Sequence, residues 1–169
     1  MKRRLWSIVH FAAAILFLGL GAEFIRAQET IGVTDKEILI GSCSALAGPS
    51  NFLGTQTVTG ANAYFKMTND AGGIHGRHLR LISYDDSYDP EKTQACFDHL
   101  MRDRVFALGF FVGTPTAVRY VPMVENRKIP LVGLFTGAKT LYEPLRHDVL
   151  NVRASYADET REQMNGLWN

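Results

Sequence analysis

Apolar residues fall into short runs that alternate with segments of helical periodicity. The strand-like runs cover residues 37–43, 78–84, 105–112, 129–134 and 149–153. The run at 105–112 is apolar throughout, which is typical of a central parallel strand covered on both faces. Between the first two runs, Val58, Ala61 and Phe65 recur at helical spacing on one face. Strands alternating with helices in this way predict an α/β fold with a doubly wound parallel sheet.

The ends of the predicted helices carry local signals. The first helix is predicted over residues 56–71, because the glycines at 72–73 are typical of the position after a helix. The second is predicted to begin after Asp89, a good N-cap residue, with Pro90 in its first position. The third follows the loop at 113–116, and Pro122 inside it predicts a kink or a restart.

The amino terminus has the layout of a secretory signal peptide over residues 1–27. A basic start is followed by an apolar run at 5–20 and a short, more polar segment that ends at Ala27. Cleavage is expected after Ala27, with Ala22 as the other candidate. The alternative is an uncleaved membrane anchor, but the apolar run is shorter than the roughly 20 residues that span a bilayer. We therefore expect an exported protein.

Charge and cysteine content limit the partners and the metal sites that we expect. Residues 1–27 contain four of the 18 basic and one of the 17 acidic residues, so the remaining chain carries 14 and 16, a net charge of −2. This balance does not favour nucleic acid or anionic membranes as partners. The two cysteines, Cys43 and Cys96, lack a CxxC or a histidine partner that would suggest a metal. In an oxidising compartment they either form a disulfide or remain two separate buried thiols.

Three loops are predicted to lie together at the carboxyl edge of the sheet, where ligands bind in open parallel sheets. All three loops are rich in small and hydroxyl residues. The first loop contains Leu46 and Ala47, and Leu53 follows just behind it. The second contains Gly113, Thr114 and Thr116, and the third contains Thr136, Gly137 and Ala138. Hydroxyls and the N–H groups at a helix N-terminus suit a small anion such as a carboxylate. The alternative is ordinary strand-to-helix turns, because helix caps use the same residue types.

Catalytic, metal and cofactor motifs are not found in the sequence. It contains no GxGxxG, no phosphate-binding lysine loop and no G-x-S-x-G. Asp85, Asp86 and Asp89 form the one cluster that suggests a metal, but helix capping and loop hydrogen bonding explain it more simply. We therefore predict no cofactor, no metal and no catalytic residues.

Residues 31–160 resemble the amino-terminal lobe of periplasmic solute-binding proteins of the leucine/isoleucine/valine type. The resemblance is carried by six segments in order: IxIGxxxxLAGP at 38–49, GAxAYFxxxNxAGGIxGR at 60–77, LxxYDDxYDPEKT at 81–93, GTPT at 113–116, IPLVG at 129–133 and NVRASYADE at 151–159. Each segment alone is weakly specific, whereas six in the same order are strong evidence.

The resemblance implies a Rossmann-like lobe of a type I periplasmic binding protein. Residues 28–150 would be the first lobe and 151–169 a truncated start of a second lobe that is otherwise missing. The expected function is that of the substrate-binding component of an ABC importer, which binds an amino acid or amide and delivers it to a membrane permease. Alternatives are a ligand-sensing receptor domain, an inactive truncated fragment and, from another class, a small flavodoxin-like enzyme.

The resemblance also implies roles for individual residues. Thr114 would donate its hydroxyl and N–H group to the solute, and Thr136 and Ala138 would hold it through side-chain and main-chain groups. Leu53 would contact the solute side chain. Tyr156 would line the cleft close to the crossing into the second lobe.

Overall fold

The structure is a computed structural model that describes residues 30–168. The predicted signal peptide at 1–27 lies outside the described residues. No helix within 30–168 has the length and apolar character needed to cross a bilayer.

Five parallel strands form one sheet in the order β2-β1-β3-β4-β5. They are β1 (Glu37–Ser44), β2 (His78–Asp85), β3 (Ala107–Gly109), β4 (Leu131–Val132) and β5 (Val149–Leu150). The sequence order changes direction at β1, because β2 pairs on one side of β1 and β3 on the other. This arrangement confirms the predicted α/β class with a parallel sheet.

Within residues 30–168, four helices connect or follow the strands. They are α1 (Asn51–Asp70), α2 (Pro90–Arg102), α3 (Thr114–Arg127) and α4 (Tyr156–Trp168), and a short 3-10 helix (Lys139–Leu141) precedes β5. The predicted start of α2 is confirmed, because the Asp89 carboxylate accepts a hydrogen bond from the Glu91 N–H at 2.9 Å. Pro122 lies inside α3, which continues through it, so the predicted restart does not occur.

Several predicted boundaries were wrong. Helix α1 begins at Asn51 and not at Gln56, because Gly48 adopts a left-handed φ of +80° and turns the chain earlier. Strand β3 is shorter than the apolar run at 105–112, because Phe110 has a left-handed φ of +63° that interrupts the extended backbone. Pairing resumes beyond it, at the isolated bridge between Val112 and Phe135.

The main core lies between the sheet and helices α2 and α3. Its largest fully buried side chains include Phe97, Leu100, Leu108, Phe111 and Tyr120. The rings of Phe111 and Tyr120 pack edge to face with their centroids 4.8 Å apart. Burial on this scale supplies most of the driving force for folding.

The structure decides whether the two cysteines form a disulfide or remain separate thiols. Cys43 on β1 and Cys96 on α2 form a disulfide in the middle of this core, with their Cα atoms 6.0 Å apart. Both residues are buried. The bond therefore joins the central sheet to the helix layer.

Helix α4 differs from the other helices because none of its residues is buried. Leu167 and Trp168 near its end are 80% and 82% exposed. The start of the helix is attached to the lobe, since Glu159 accepts hydrogen bonds from Arg153 at 2.7 and 2.9 Å.

Candidate functional site

The loops after β3 and β4 meet through a hydroxyl cluster formed by Thr114, Thr136 and Tyr156. The Thr114 and Thr136 hydroxyl oxygens are 2.8 Å apart, and the Tyr156 phenol oxygen is 3.3 Å from that of Thr136. Thr136 is fully buried, whereas Tyr156 is 44% exposed. The cluster thus runs from the interior of the sheet edge to solvent, and it brings together three of the residues that the resemblance singled out.

The third loop holds α4 against the site through main-chain contacts. The Ala138 N–H donates to the Thr136 hydroxyl at 3.3 Å, and the Tyr156 N–H donates to the Gly137 carbonyl at 2.8 Å. A Cβ on Gly137 would lie 2.8 Å from the Ala154 carbonyl oxygen, so only glycine allows this approach. Gly137 therefore has a packing role beside the hydroxyl cluster.

Hydrogen bonds within the hydroxyl cluster shift the pKa of Tyr156. The hydrogen bond with Thr136 lowers the pKa of the Tyr156 phenol, and it outweighs burial, which raises it. A hydrogen bond with Thr114 lowers the pKa of Tyr156 further. The lowered pKa therefore reflects hydrogen bonds that the Tyr156 oxygen receives within the protein.

The second loop forms the N-terminus of α3. Gly113 has a φ of +105° and precedes Thr114, the first helical residue. The N–H groups of the first helical turn have no partner inside the helix and carry a partial positive charge. The sequence suggested that Thr116 would offer its hydroxyl to a ligand. This prediction was wrong, because Thr116 is buried and its hydroxyl donates to the carbonyls of Val112 and Gly113 at 2.7 and 3.0 Å.

The first loop is bound to the end of β2. The Asp85 carboxylate accepts hydrogen bonds from the N–H groups of Leu46 at 2.8 Å and Ala47 at 3.0 Å. Burial raises the pKa of Asp85, but hydrogen bonds from Ser87 and from these two N–H groups hold it below its ordinary value. The N–H groups of Leu46 and Ala47 are thus already donated within the protein. Leu53 is half-buried in the first turn of α1.

The aspartates at 85, 86 and 89 all have structural partners. Asp86 is fully buried and accepts hydrogen bonds from the Tyr88 N–H and the Thr93 hydroxyl, both at 3.0 Å. Burial raises the pKa of Asp86 despite these bonds. Loop hydrogen bonding and capping, the simpler explanation from the sequence, are confirmed. Within 30–168, no cluster of three histidine, cysteine or acidic side chains could hold a metal.

Two residues near the site were missed by sequence reasoning. The Tyr88 ring packs against Gly113 at the start of α3. The Arg153 guanidinium lies 5.3 Å from the centre of the Phe135 ring and 5.2 Å from that of Tyr156. Both residues lie in segments that carried the family resemblance, but the chain pattern alone did not show where their side chains would lie.

Comparison with known proteins identifies the family of this lobe. A model of the family described as periplasmic binding protein matches residues 37–168, nearly all of the described chain. The chain belongs to this family. Membership implies a periplasmic location.

The similar proteins agree with this assignment. A Leu/Ile/Val-binding protein homolog from Brucella abortus is 31% identical over 112 residues, which are 66% of this chain and 27% of the relative. Among solved structures, a possible leucine/isoleucine/valine-binding protein from Rhodopirellula baltica is 33% identical, with a TM-score of 0.74 over 83% of this chain and 37% of that one.

A more distant structure shares the fold alone. A branched-chain amino acid ABC transporter protein from Thermus thermophilus, solved with bound valine, is 16% identical, with a TM-score of 0.70 over 80% of this chain and 35% of that one. The chain thus spans between 27% and 37% of the length of these relatives.

Proposed function

We propose that this chain provides the first lobe of an exported substrate-binding component of an ABC importer. It binds a small polar solute, such as a branched-chain amino acid or an amide, at the carboxyl edge of its sheet. Its partner is the membrane permease of that importer. The names of the Brucella and Rhodopirellula relatives, both of the Leu/Ile/Val-binding type, support this solute class.

The hydroxyl cluster is the observation that carries the proposal. It links the N-terminus of α3 to the loop after β4, at the edge where open parallel sheets bind ligands. A solute carboxylate placed there would accept hydrogen bonds from neutral donors and would also interact with the positive end of the helix.

Arg153 does not serve as the partner of the solute carboxylate in this proposal. Its guanidinium already makes two hydrogen bonds to Glu159 and lies within about 5 Å of the centres of the Phe135 and Tyr156 rings. The arginine instead fixes the aromatic ring that carries the outermost hydroxyl of the cluster. Recognition of the anion therefore falls to hydroxyls and main-chain N–H groups.

The partial solvent exposure of the hydroxyl cluster determines the binding affinity that we expect. Because Tyr156 is partly exposed, hydrogen bonds at the outer end of the cluster are weakened by water. We expect an affinity of about 1 mM for the lobe, which corresponds to about 4 kcal/mol of binding free energy. At 10 mM solute, such an affinity stabilises the folded state by about 1.4 kcal/mol and raises the melting temperature by about 4 °C.

Thermal melting of the chain recovered after export tests the proposal. The panel contains branched-chain amino acids, short amides and urea, each at 10 mM. We expect one class to raise the melting temperature of the wild type and of Thr59→Val, an exposed threonine on α1 that serves as the control. The same class should leave Thr136→Val unchanged. An equal rise in Thr136→Val, or no rise with any solute in the wild type, would contradict the proposal.

A further inference from the structure

A cavity lies at the amino edge of the sheet, opposite the edge that carries the hydroxyl cluster. Its volume is about 530 Å³, and it is bordered by residues just before β1, β3 and β4, among them Ile31, Phe106 and Pro130. The hydroxyl cluster lies instead in the loops that follow β3 and β4. The cavity and the proposed solute site are therefore at opposite ends of the strands.

Three cationic residues border this cavity, because helices α2 and α3 both end beside it. Arg104 comes just after the end of α2, and Arg127 and Lys128 lie at the end of α3. All three residues are exposed. The chain after residue 27 contains 14 basic and 16 acidic residues, a net charge of −2, so this edge differs in sign from the average of the chain.

The acidic residues that neighbour these cations in sequence are directed elsewhere. The Asp103 carboxylate accepts a hydrogen bond from the Tyr84 phenol on β2 at 2.8 Å. The Glu125 carboxylate pairs with the Arg146 guanidinium, also at 2.8 Å. Within residues 30–168, no acidic residue borders the cavity. The edge therefore keeps a positive potential towards solvent.

Apolar side chains accompany the cations at this edge. Ile31 is 55% exposed and Phe106 is 39% exposed, whereas the buried Val105 and Ile129 form the floor of the cavity. Exposed aliphatic and aromatic side chains among cations are typical of surfaces that bind the interface of a bilayer. There the cations approach lipid phosphates while the apolar groups reach the boundary of the acyl chains.

We propose that the amino edge of the lobe is a docking surface for a membrane that contains anionic phospholipid. The docking surface consists of Ile31, Arg104, Phe106, Arg127 and Lys128. Its positive charge complements the negative charge of the lipid phosphates. The sequence gives a separate reason, because the apolar run at 5–20, which we expect to enter a membrane during export, joins the lobe at this edge through Thr30.

Flotation of lipid vesicles tests the proposal. The protein is the chain recovered after export, with a mass that confirms the loss of residues 1–27. The vesicles contain equal amounts of phosphatidylglycerol and phosphatidylcholine, or phosphatidylcholine alone, in 0.1 M NaCl. We expect the chain to float with the anionic vesicles only and to be released at 0.5 M NaCl, because salt screens exposed charges. Equal flotation with both kinds of vesicle, or with neither, would overturn the proposal.

Charge removal at the docking surface gives the expected magnitude. The variant Arg104→Gln/Arg127→Gln/Lys128→Gln should lower the partition coefficient about a hundredfold, because each cation near an anionic surface contributes about fivefold. The matched control removes three charges from exposed positions elsewhere in the lobe, in Lys66→Gln/Arg119→Gln/Lys139→Gln. It should bind like the wild type, and an equal loss of binding in both variants would contradict a localised surface.

A variant that keeps the charge separates membrane binding from folding. Arg104→Lys/Arg127→Lys retains both cations, so it should float with anionic vesicles like the wild type. This variant decides the question if the glutamine variant has a lowered melting temperature. Loss of flotation in the lysine variant would show that the arginines act through the structure of the lobe, and it would overturn the proposal.

Tryptophan fluorescence identifies the face that touches the bilayer. After residue 27 the sequence contains one tryptophan, Trp168, which is 82% exposed at the end of α4. Its emission should not change when anionic vesicles are added. The emission of Phe106→Trp/Trp168→Phe should move to shorter wavelength, because the new ring enters the lipid interface. A shift of Trp168 in the wild type without a shift at position 106 would place the contact on α4 and overturn the proposal.

Discussion

Removal of the Cys43–Cys96 disulfide should destabilise the lobe strongly, because the bond closes a loop with a sequence separation of 53 residues. Cross-linking a loop of this length lowers the entropy of the unfolded chain by about 14 cal/mol/K, which is about 4 kcal/mol at 25 °C. For a lobe of this size the loss corresponds to a fall in melting temperature of about 12 °C. The Cys43→Ala/Cys96→Ala variant should show at least this fall, because both sulfur atoms are buried.

Calorimetry with and without a reducing agent measures this effect. Reduction should lower the melting temperature of the wild type but leave the double variant unchanged, because the sequence contains only two cysteines. The double variant is therefore the control for any general effect of the reductant. A wild type that melts within about 2 °C of the double variant, or that reacts with two equivalents of a thiol reagent when unfolded without reduction, would refute the reasoning.

Two further perturbations test the packing and the electrostatics around the first loop. A Cβ on Gly54 would lie 2.0 Å from the Ala45 carbonyl oxygen, so Gly54→Ala should lower the free energy of unfolding by about 3 kcal/mol in urea titrations. Gly60→Ala, on the same helix with open space around it, should instead raise it by about 0.5–1 kcal/mol, and equal effects would contradict the packing. Because hydrogen bonds lower the pKa of Asp85, its charge stabilises the fold above the ordinary value of 3.8 and ceases to do so as the pH falls through the folded-state value. Asp85→Asn should therefore cost about 1 kcal/mol at pH 7, for a largely exposed carboxylate, and this cost should shrink as the pH falls through the folded-state pKa. A difference in stability that does not depend on pH would contradict this role of Asp85.

The strand and helix order was predictable because its signals are local. Apolar runs, the Asp89–Pro90 start of α2 and the glycines after α1 each act over a few residues. The shortened β3 was not predictable in this way. Phe110 adopts its left-handed backbone where the Ser42 and Ser44 hydroxyls donate to its carbonyl, at 3.3 and 2.9 Å, from positions 68 and 66 residues earlier.

The site shows the same division between local and long-range information. The rule that ligand loops gather at the carboxyl edge of a parallel sheet correctly brought Thr114, Thr136 and Ala138 together. The sequence could not show that Asp85 would bind the first loop. It also could not show that Tyr88 would reach Gly113, because these contacts depend on how one turn is placed against the next strand. The disulfide was undecided for the same reason, since its formation depends on the packing of α2 against β1.

The central claim is that the start of α3 and the hydroxyl cluster bind the carboxylate of a small amino acid. The most direct test is a ¹⁵N NMR titration of the wild-type chain with leucine and, in parallel, with leucinol, which keeps the side chain and amine but lacks the carboxylate. We predict that leucine shifts the amide signals of Gly113, Thr114 and Ala138 in a saturable way and that leucinol does not. Equal shifts with both compounds, or shifts confined to other parts of the lobe, would contradict the account.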